Sequence, residues 1–136
     1  MSTAGYSGTP LVKKLGIKPN FKCLILHEPQ HYIDLLFEIP ENTEFTDEAN
    51  GTFDFIHAFY RKVDNLKTEW PQLKKSLKKD GSLWVSWPKG SSKIETDMNA
   101  NDVRRIGLQG GLVDVKVCAV DNDWSGLKFM FREKDR

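Results

Sequence analysis

Short apolar runs alternate along this chain with stretches in which apolar residues recur at helical spacing. Six of the runs predict strands, over residues 22–27, 43–46, 53–60, 82–87, 113–120 and 127–132. Several runs, such as KCLIL and SLWVSW, are almost continuously apolar, which is typical of strands buried on both faces of a parallel sheet. The last two runs flank the polar segment DNDWSG, so we expect them to pair as a hairpin.

The longest helical stretch covers residues 64–79, with its apolar residues on one side and its lysines on the other. The apolar positions are Leu66, Trp70, Leu73 and Leu77. Pro71 removes a backbone hydrogen bond inside this stretch, which predicts either a kink or a second helix that begins at the proline. The pair Asp80-Gly81 then predicts the end of the helix.

Two shorter helices complete the pattern. One is an amphipathic segment over residues 29–37, and the other has an apolar face at Val103, Ile106 and Leu108. Asn99 and Asn101 are both suitable caps for the second helix, and Gly110-Gly111 predicts its end. Strands and helices therefore alternate, which is the element order of a doubly wound α/β domain.

A length of 136 residues suits one domain, so we expect residues 1–136 to form a single unit. Residues 1–8 and 133–136 lie outside the predicted core. The first segment, with two glycines and several hydroxyl side chains, is expected to be either a flexible lid over one edge of the sheet or a disordered terminus. The second is a charged tail.

The charges nearly cancel, with 20 Lys and Arg against 19 Asp and Glu and a net charge of +1. Such a balance supplies no overall field for nucleic acid or for an anionic membrane, so neither is predicted as a partner. The distribution is uneven, because residues 28–54 carry eight acids and no Lys or Arg, whereas residues 61–80 are rich in lysine. These blocks are either solvated surfaces or docking surfaces for a partner or for a second copy of the chain.

No apolar stretch is long enough to span a membrane, and the polar start of the chain lacks the apolar segment of a signal peptide. The two cysteines, Cys23 and Cys118, lie inside apolar runs with no CxxC spacing, as expected of buried thiols in a reducing compartment. We therefore predict a cytoplasmic protein.

Four segments, AGYSGTPLVKKLGIKP, LWVSWPKG, GLVDVKVCAVD and WSGLKF, resemble a bacterial domain family of unknown function over nearly the whole chain. In addition, LKKSLKKDGSLWVSWPKG and the closing hairpin resemble the class I methyltransferases, which have a Rossmann-like fold. That resemblance implies a six-stranded open sheet in the order 2-1-3-4-6-5, with an antiparallel last strand and helices on both faces. It also implies that Cys23 and Cys118 lie about 19 Å apart and stay free thiols.

Methyltransferases of this fold place a glycine-rich turn after the first strand, where the backbone approaches the cofactor S-adenosylmethionine. Here the turn is His27-Glu28-Pro29-Gln30-His31 and contains no glycine. We expect its side chains to fill the space that the methyl donor needs, so no cofactor is predicted. S-adenosylmethionine is kept as the alternative.

The same five residues match the zinc-peptidase pattern HExxH, in which two histidines on one helix bind the metal. A buried strand running up to His27 and a proline suited to the first helical turn place His27 outside the helix. No metal site is therefore predicted. The remaining histidine, His57, lies within an apolar strand and is expected to be a hydrogen-bonded core residue.

Ligands of open α/β sheets bind beyond the carboxyl ends of the strands, where the strand order reverses. The candidate ligand-binding residues at that edge are His27, His31, Asp47, Arg61, Trp87, Lys89 and Trp124. Aromatic faces next to cations suit a small planar, aromatic or anionic ligand. Two other interpretations stay open. Trp and Arg side chains at strand ends also commonly cover the sheet without binding a ligand, and Asp47 also suits a surface turn. None of these residues is assigned a catalytic role.

Three functions are therefore considered. The main hypothesis is a methyltransferase-like domain that has lost the cofactor turn and acts as a non-catalytic binding or regulatory module, not as an enzyme. The first alternative is a transferase that binds S-adenosylmethionine or another nucleotide cofactor in an altered site. The second alternative is a protein-docking module that uses the lysine-rich helix. The sequence predicts no oligomeric state.

Overall fold

The computed structural model describes residues 9–136, which form one mixed sheet with helices on both faces. The strands are β1 (Lys22–Leu26), β2 (Glu44–Thr46), β3 (Phe53–Phe59), β4 (Leu77–Pro88), β5 (Leu112–Ala119) and β6 (Trp124–Phe131). Their order is β2-β1-β3-β4-β6-β5, and β6 runs antiparallel to both of its neighbours. The predicted fold class, strand order and closing hairpin are confirmed.

Within residues 9–136, four α-helices cover the sheet. They are α1 (Leu11–Leu15), α2 (Tyr32–Leu36), α3 (Val63–Ser76) and α4 (Ala100–Gln109), and a 3₁₀ turn follows at Glu133–Asp135. Buried side chains of α1 and α2 pack on one face of the sheet, and those of α3 and α4 pack on the other. No helix in residues 9–136 is long and apolar enough to cross a membrane.

The junction between α3 and β4 differs from the sequence-based expectation. Pro71 lies inside one continuous helix, so no second helix begins there, and the helix ends at Ser76. The next strand, β4, starts at Leu77 and therefore includes Lys78 to Gly81. The pairing of β3 with β4 shifts between Phe53 and Phe55, and the extra residues of β4 form a bulge. A Cβ at Gly81 would lie 2.9 Å from the backbone oxygen of Asp54, so glycine permits this close approach.

Side chains complete the ends of the two long helices. The first N–H of α3, on Val63, donates to Oδ1 of Asp97 over 2.8 Å, which satisfies a group that has no partner within the helix. Asn99 caps α4 by accepting from the backbone N–H of Asp102 at 2.9 Å, which selects Asn99 over Asn101. Leu108, expected on the apolar face of α4, is 38% exposed.

His57 is fully buried in β3 and fully hydrogen-bonded, as predicted. Its Nδ1 lies 2.9 Å from the hydroxyl of Tyr32, and its Nε2 lies 2.7 Å from Oγ of Ser86. Burial lowers the pKa of His57 to about 3, so the imidazole is neutral near pH 7. The histidine thereby ties α2 to β3 and β4 without placing a charge in the core.

Both cysteines are free thiols, which confirms that expectation. Cys23 lies on β1, the second strand of the sheet, and Cys118 lies on β5, the strand at the opposite edge. Burial and the nearby Asp54 carboxylate raise the pKa of Cys23 to about 12, and burial also raises the pKa of Cys118. Neither thiol has the lowered pKa of a reactive nucleophile.

Candidate ligand cleft

A cleft of about 490 Å³ opens beyond the carboxyl ends of β1 and β3. Strand order reverses between these two strands, because β2 follows β1 on one side and β3 follows on the other. The cleft is lined by the β1–α2 turn at His27 and Pro29, by residues 59–62, by Asn65 and Glu69 of α3, and by Ile94 and Trp124. Its place in the fold is where open α/β sheets bind ligands.

The turn after β1 leaves this cleft open. His27 has a φ of 60°, the left-handed conformation that usually belongs to glycine, so the chain makes the turn without one. The imidazole Nε2 lies 3.0 Å from Oε1 of Glu69, and the ring packs edge-on against Tyr60. The expectation that the His27 and Pro29 rings fill the niche is wrong, because these contacts hold the imidazole at the wall of the cleft.

Glu69 is the carboxylate at the centre of this wall. It interacts with His27 Nε2 through both oxygens and also accepts a 2.7 Å hydrogen bond from the hydroxyl of Tyr60. Burial raises the pKa of Tyr60, and the Glu69 carboxylate that accepts its hydrogen bond raises it further, so the phenol stays protonated. The Glu69 side chain is 37% exposed, so it remains accessible from the cleft.

Glu69 was missed by sequence reasoning because it lies 42 residues from His27 and no local motif marks it. One signal was present, since it is one of three acids in the basic stretch 61–80. Its position on α3, beside Asn65 on the same side of the helix, places it toward the carboxyl ends of the strands.

The second histidine of the turn connects to the β5–β6 hairpin. Nε2 of His31 lies 3.0 Å from Oδ2 of Asp121, whose Oδ1 accepts from the backbone N–H groups of Asp123 and Trp124 at 2.8 Å. The His31 interaction therefore fixes the loop that presents Trp124 to the cleft. The indole of Trp124 packs edge-on against Phe59 with ring centroids 5.1 Å apart.

The lining of the cleft continues into the segment after β3. Arg61 and Lys62 bring positive charge to the cleft. The backbone oxygen of Arg61 accepts from Oγ1 of Thr96 at 2.7 Å and from the N–H of Asp97 at 3.2 Å. These bonds attach the loop after β4 to the mouth of the cleft, where Ile94 from that loop completes the lining.

Of the seven predicted ligand residues, the cleft brings together His27, Arg61 and Trp124. His31 is not among the lining residues, but it interacts with Asp121, which accepts a hydrogen bond from the backbone N–H of Trp124. The other three predicted residues, Asp47, Trp87 and Lys89, are not among the described residues that line the cleft.

Trp87 is 6% exposed and lies in the core cluster with Leu83 and Val85, because alternate residues of β4 share one face. Asp47 is exposed just after β2. The backbone N–H of Lys89 donates to the oxygen of Asp123 over 2.7 Å, which ties the end of β4 to the hairpin loop.

The HExxH pattern does not lie on a helix. β1 ends at Leu26 and α2 begins at Tyr32, so both histidines belong to the turn and interact with different carboxylates. Within residues 9–136, no three His, Cys, Asp or Glu side chains are grouped in a way that could hold a metal ion. The predicted lid over residues 1–8 lies outside the described part of the chain.

Several solved methyltransferases share this fold. The chain superposes on a SAM-dependent methyltransferase from Aquifex aeolicus with a TM-score of 0.61 at 14% identity, covering 96% of this chain and 92% of that one. Magnesium protoporphyrin IX methyltransferase from Synechocystis with bound SAH gives 0.58 at 8% identity, covering 90% and 78% of the two chains. The same enzyme with bound SAM gives 0.56 at 10% identity, covering 90% and 74%. No protein-family model and no curated protein sequence matches the chain.

The chain thus has the Rossmann-like methyltransferase fold. Sequence identities this low establish the fold alone. The neighbours nevertheless contradict the main sequence-based hypothesis. A non-catalytic module, not an enzyme and without a cofactor, was expected, whereas these neighbours are methyltransferases and two of the structures hold SAM or SAH. The alternative, a SAM-dependent transferase with an altered site, agrees better with them.

Proposed function

We propose that this protein is an S-adenosylmethionine-dependent methyltransferase that binds its cofactor in the cleft between β1 and β3. The observation that carries the proposal is that the cleft is open at the strand-order reversal although the turn beside it has no glycine. The left-handed backbone of His27 supplies the turn, and the imidazole is held aside by Glu69. The fold of the structural neighbours supports the same activity.

The residues of the cleft fit the chemistry of this cofactor. A volume of about 490 Å³ lies within the ~300–1,000 Å³ usual for small-molecule pockets. S-adenosylmethionine carries a cationic sulfonium and amino group, a carboxylate and a flat adenine. The cleft offers the Glu69 carboxylate for the cations, Lys62 for the carboxylate, and the aromatic ring of Trp124 for the adenine.

When bound, the cofactor supplies an electrophilic methyl group for transfer to a nucleophile. Glu69 is the residue that we expect to hold its positive charge, because two neighbours fix the carboxylate in place while part of it stays exposed. A carboxylate can accept about four hydrogen bonds, so the contacts with His27 and Tyr60 leave it capacity for a ligand. Preorganised charge of this kind needs no rearrangement when the ligand arrives.

The acceptor that we propose is a small planar anion. Arg61 lines the cleft next to the rings of Phe59 and Tyr60, so a flat acceptor beside the cofactor finds apolar ring surface and positive charge. The His27–Glu69 pair is the acid–base group of the cleft and is placed to accept a proton that an acceptor loses on methylation.

Calorimetry with SAM and with SAH tests the proposed cofactor on the full chain. We expect saturable binding by the wild type and at least about tenfold weaker binding by Glu69→Gln, which keeps the size of the side chain and removes its charge. Glu133→Gln, in the exposed 3₁₀ turn, is the matched control and should bind like the wild type. Absence of heat with both ligands, or equal affinities for all three proteins, contradicts the proposal.

Two finer sequence-based predictions accompany this function. We infer that the chain is a bacterial protein of the domain family that its motifs resemble, and that it acts in the cytoplasm. The support for the first is the set of motifs AGYSGTPL, LWVSWPKG and WSGLKF, and the support for the second is its pair of free, unreactive thiols. Fractionation of the source cell with an antibody tests the location.

A further inference from the structure

An exposed apolar ridge lies on α2 and the connection that follows it. Ile33, Phe37 and Ile39 are 50%, 84% and 40% exposed. Ile33 lies on α2, and Phe37 is the residue that follows the last residue of this helix. Phe37 also has a φ of 67°, a left-handed conformation that is costly for a bulky residue. A large aromatic ring that is exposed to water, on a residue with a strained backbone, is typical of a binding segment.

Carboxylates surround this ridge. Asp34 and Glu38 flank Phe37, and Glu41 lies two residues beyond Ile39, all three with exposed side chains. No Lys or Arg occurs between residues 28 and 54, so the chain supplies no positive charge from this segment. Residues 33–41 are called the acidic ridge below.

A groove of opposite character lies where α3 ends and β4 begins. It has a volume of about 760 Å³, with the buried side chains of Leu77 and Phe131 at its floor and the exposed Pro71 and the lysine stems as its apolar surface. Its rim carries four lysines and one carboxylate, namely Lys74, Lys75, Lys78, Lys79 and Asp80. These residues are called the basic groove below.

Individual contacts show which lysines of the basic groove are available. Lys78 pairs with Asp54 at 3.0 Å, and Nζ of Lys79 lies 4.2 Å from the ring centroid of Phe131. Lys75 is exposed at the rim.

The two surfaces lie on different sides of the molecule. The buried residues of α2 pack on one face of the sheet, and those of α3 pack on the other. The ridge and the groove of one molecule therefore cannot meet each other. Two molecules placed head to tail can bring them together.

We propose that the acidic ridge of one molecule docks into the basic groove of a second copy of this chain. The Phe37 ring enters the groove over Pro71 and the lysine stems, while carboxylates of the ridge meet the lysine rim. Burying the apolar residues supplies affinity, and the opposite charges fix the orientation and exclude like surfaces. Nucleic acid is a poorer occupant, because phosphates would engage the lysines but leave the apolar groove and the exposed ring without a role.

This contact uses a different surface on each partner, so it is heterologous. An open assembly of this kind keeps one free ridge at one end and one free groove at the other, so it extends by further copies unless a ring closes. The association should therefore grow with protein concentration beyond a dimer. It is independent of the cofactor cleft, which lies at the carboxyl edge of β1 and β3.

Sedimentation velocity on the full chain over a range of concentrations tests the proposal. We expect a mass that rises with concentration and falls when salt screens the charged rims. Phe37→Ser and Lys75→Glu should each weaken association by about tenfold or more. The matched controls are Leu108→Ser, another exposed apolar residue, and Lys67→Glu, another exposed lysine of α3, and both should associate like the wild type.

Mixing the two defective variants gives a sharper test. Phe37→Ser keeps its groove and Lys75→Glu keeps its ridge, so a mixture retains one intact ridge–groove pair and should stop at a 1:1 dimer. Circular dichroism first verifies that both variants are folded. A wild-type monomer at every concentration, variants that associate as the wild type does, or a mixture that stays monomeric would each overturn the proposal. SAM binding is unaffected by any of these results, so the two proposals fail separately.

Discussion

The hydroxyl of Tyr60 donates a 2.7 Å hydrogen bond to the carboxylate of Glu69, and the same carboxylate holds Nε2 of His27 at 3.0 Å. One side chain of α3 thereby joins the end of β3 to the turn after β1. The shape of the candidate cleft depends on this connection, because it draws the imidazole to the wall.

Tyr60→Phe should lower the free energy of unfolding by about 1 kcal/mol, since it removes one hydrogen bond to a charged group that water can partly replace. It should also weaken SAM binding, because Glu69 loses one of the two neighbours that orient it. Urea unfolding and calorimetry on the same samples measure both effects. If stability and affinity both equal those of the wild type, the hydrogen bond does not organise the cleft.

The stability of the protein should depend on pH through His57. The pKa of this buried imidazole is about 3 in the folded state and about 6.5 when exposed. Below about pH 6.5 the unfolded chain therefore binds more protons than the folded chain. As the pH is lowered from about 6.5 to about 3, the free energy of unfolding should fall by up to about 1.4 kcal/mol per pH unit. His57 makes no contribution to the pH dependence above that window.

His57→Gln should remove this part of the slope, because the amide can still interact with Tyr32 and Ser86 but does not titrate. Urea unfolding between about pH 4 and about pH 7 compares the two slopes. NMR of the wild type gives an independent check even where the variant is poorly folded. A His57 imidazole whose resonances titrate near its exposed value would contradict the assigned burial.

Much of the fold follows from the sequence, because each strand is a short apolar run and each connection has its own turn residues. The junction at Leu77 does not follow. Asp80-Gly81 is typical of a helix end, yet Gly81 is needed for a bulge that approaches Asp54, and only the pairing of β3 with β4 reveals it. Local chemistry and tertiary pairing compete there, and the pairing prevails.

The position of the candidate cleft was easier to predict from the sequence than the residues that line it. His27, Arg61 and Trp124 follow from strand ends, which meet at one edge of a sheet whatever the details of packing. Glu69 does not, because its role depends on contacts 9 and 42 residues away in the chain. The expectation that the His27 ring fills the niche was wrong. The composition of the turn shows which rings are present, but it does not show that Glu69, far away in the chain, holds the imidazole to one side.

Gly107 in α4 gives a prediction whose sign the structure decides. Replacing a helical glycine with alanine usually stabilises a helix by about 1 kcal/mol. Here a Cβ would overlap the ring of Phe129, which is fully buried, so Gly107→Ala should instead destabilise by about 1–3 kcal/mol. Gly90→Ala, which meets nothing within 4 Å, should change stability by less than about 0.5 kcal/mol. A stabilised Gly107→Ala would show that α4 does not pack on β6 in this way.

The two thiols should react slowly in the native state. Cys23 is fully buried, and its raised pKa leaves little thiolate at neutral pH. Burial raises the pKa of the partly exposed Cys118, which should react first. Titration with a chromogenic disulfide should therefore detect at most one thiol in the native protein and two in urea. Immediate reaction of both native thiols would contradict the burial of β1.

The most direct test of the proposed cofactor site is an NMR titration of the labelled full chain with SAH. The account predicts saturable shifts at His27, at residues 60–69 and at the indole N–H of Trp124, with no change around Lys74 to Asp80. Spectra that stay unchanged at saturating SAH, or shifts confined to the basic groove, would contradict the claim that the cleft between β1 and β3 binds the methyl donor.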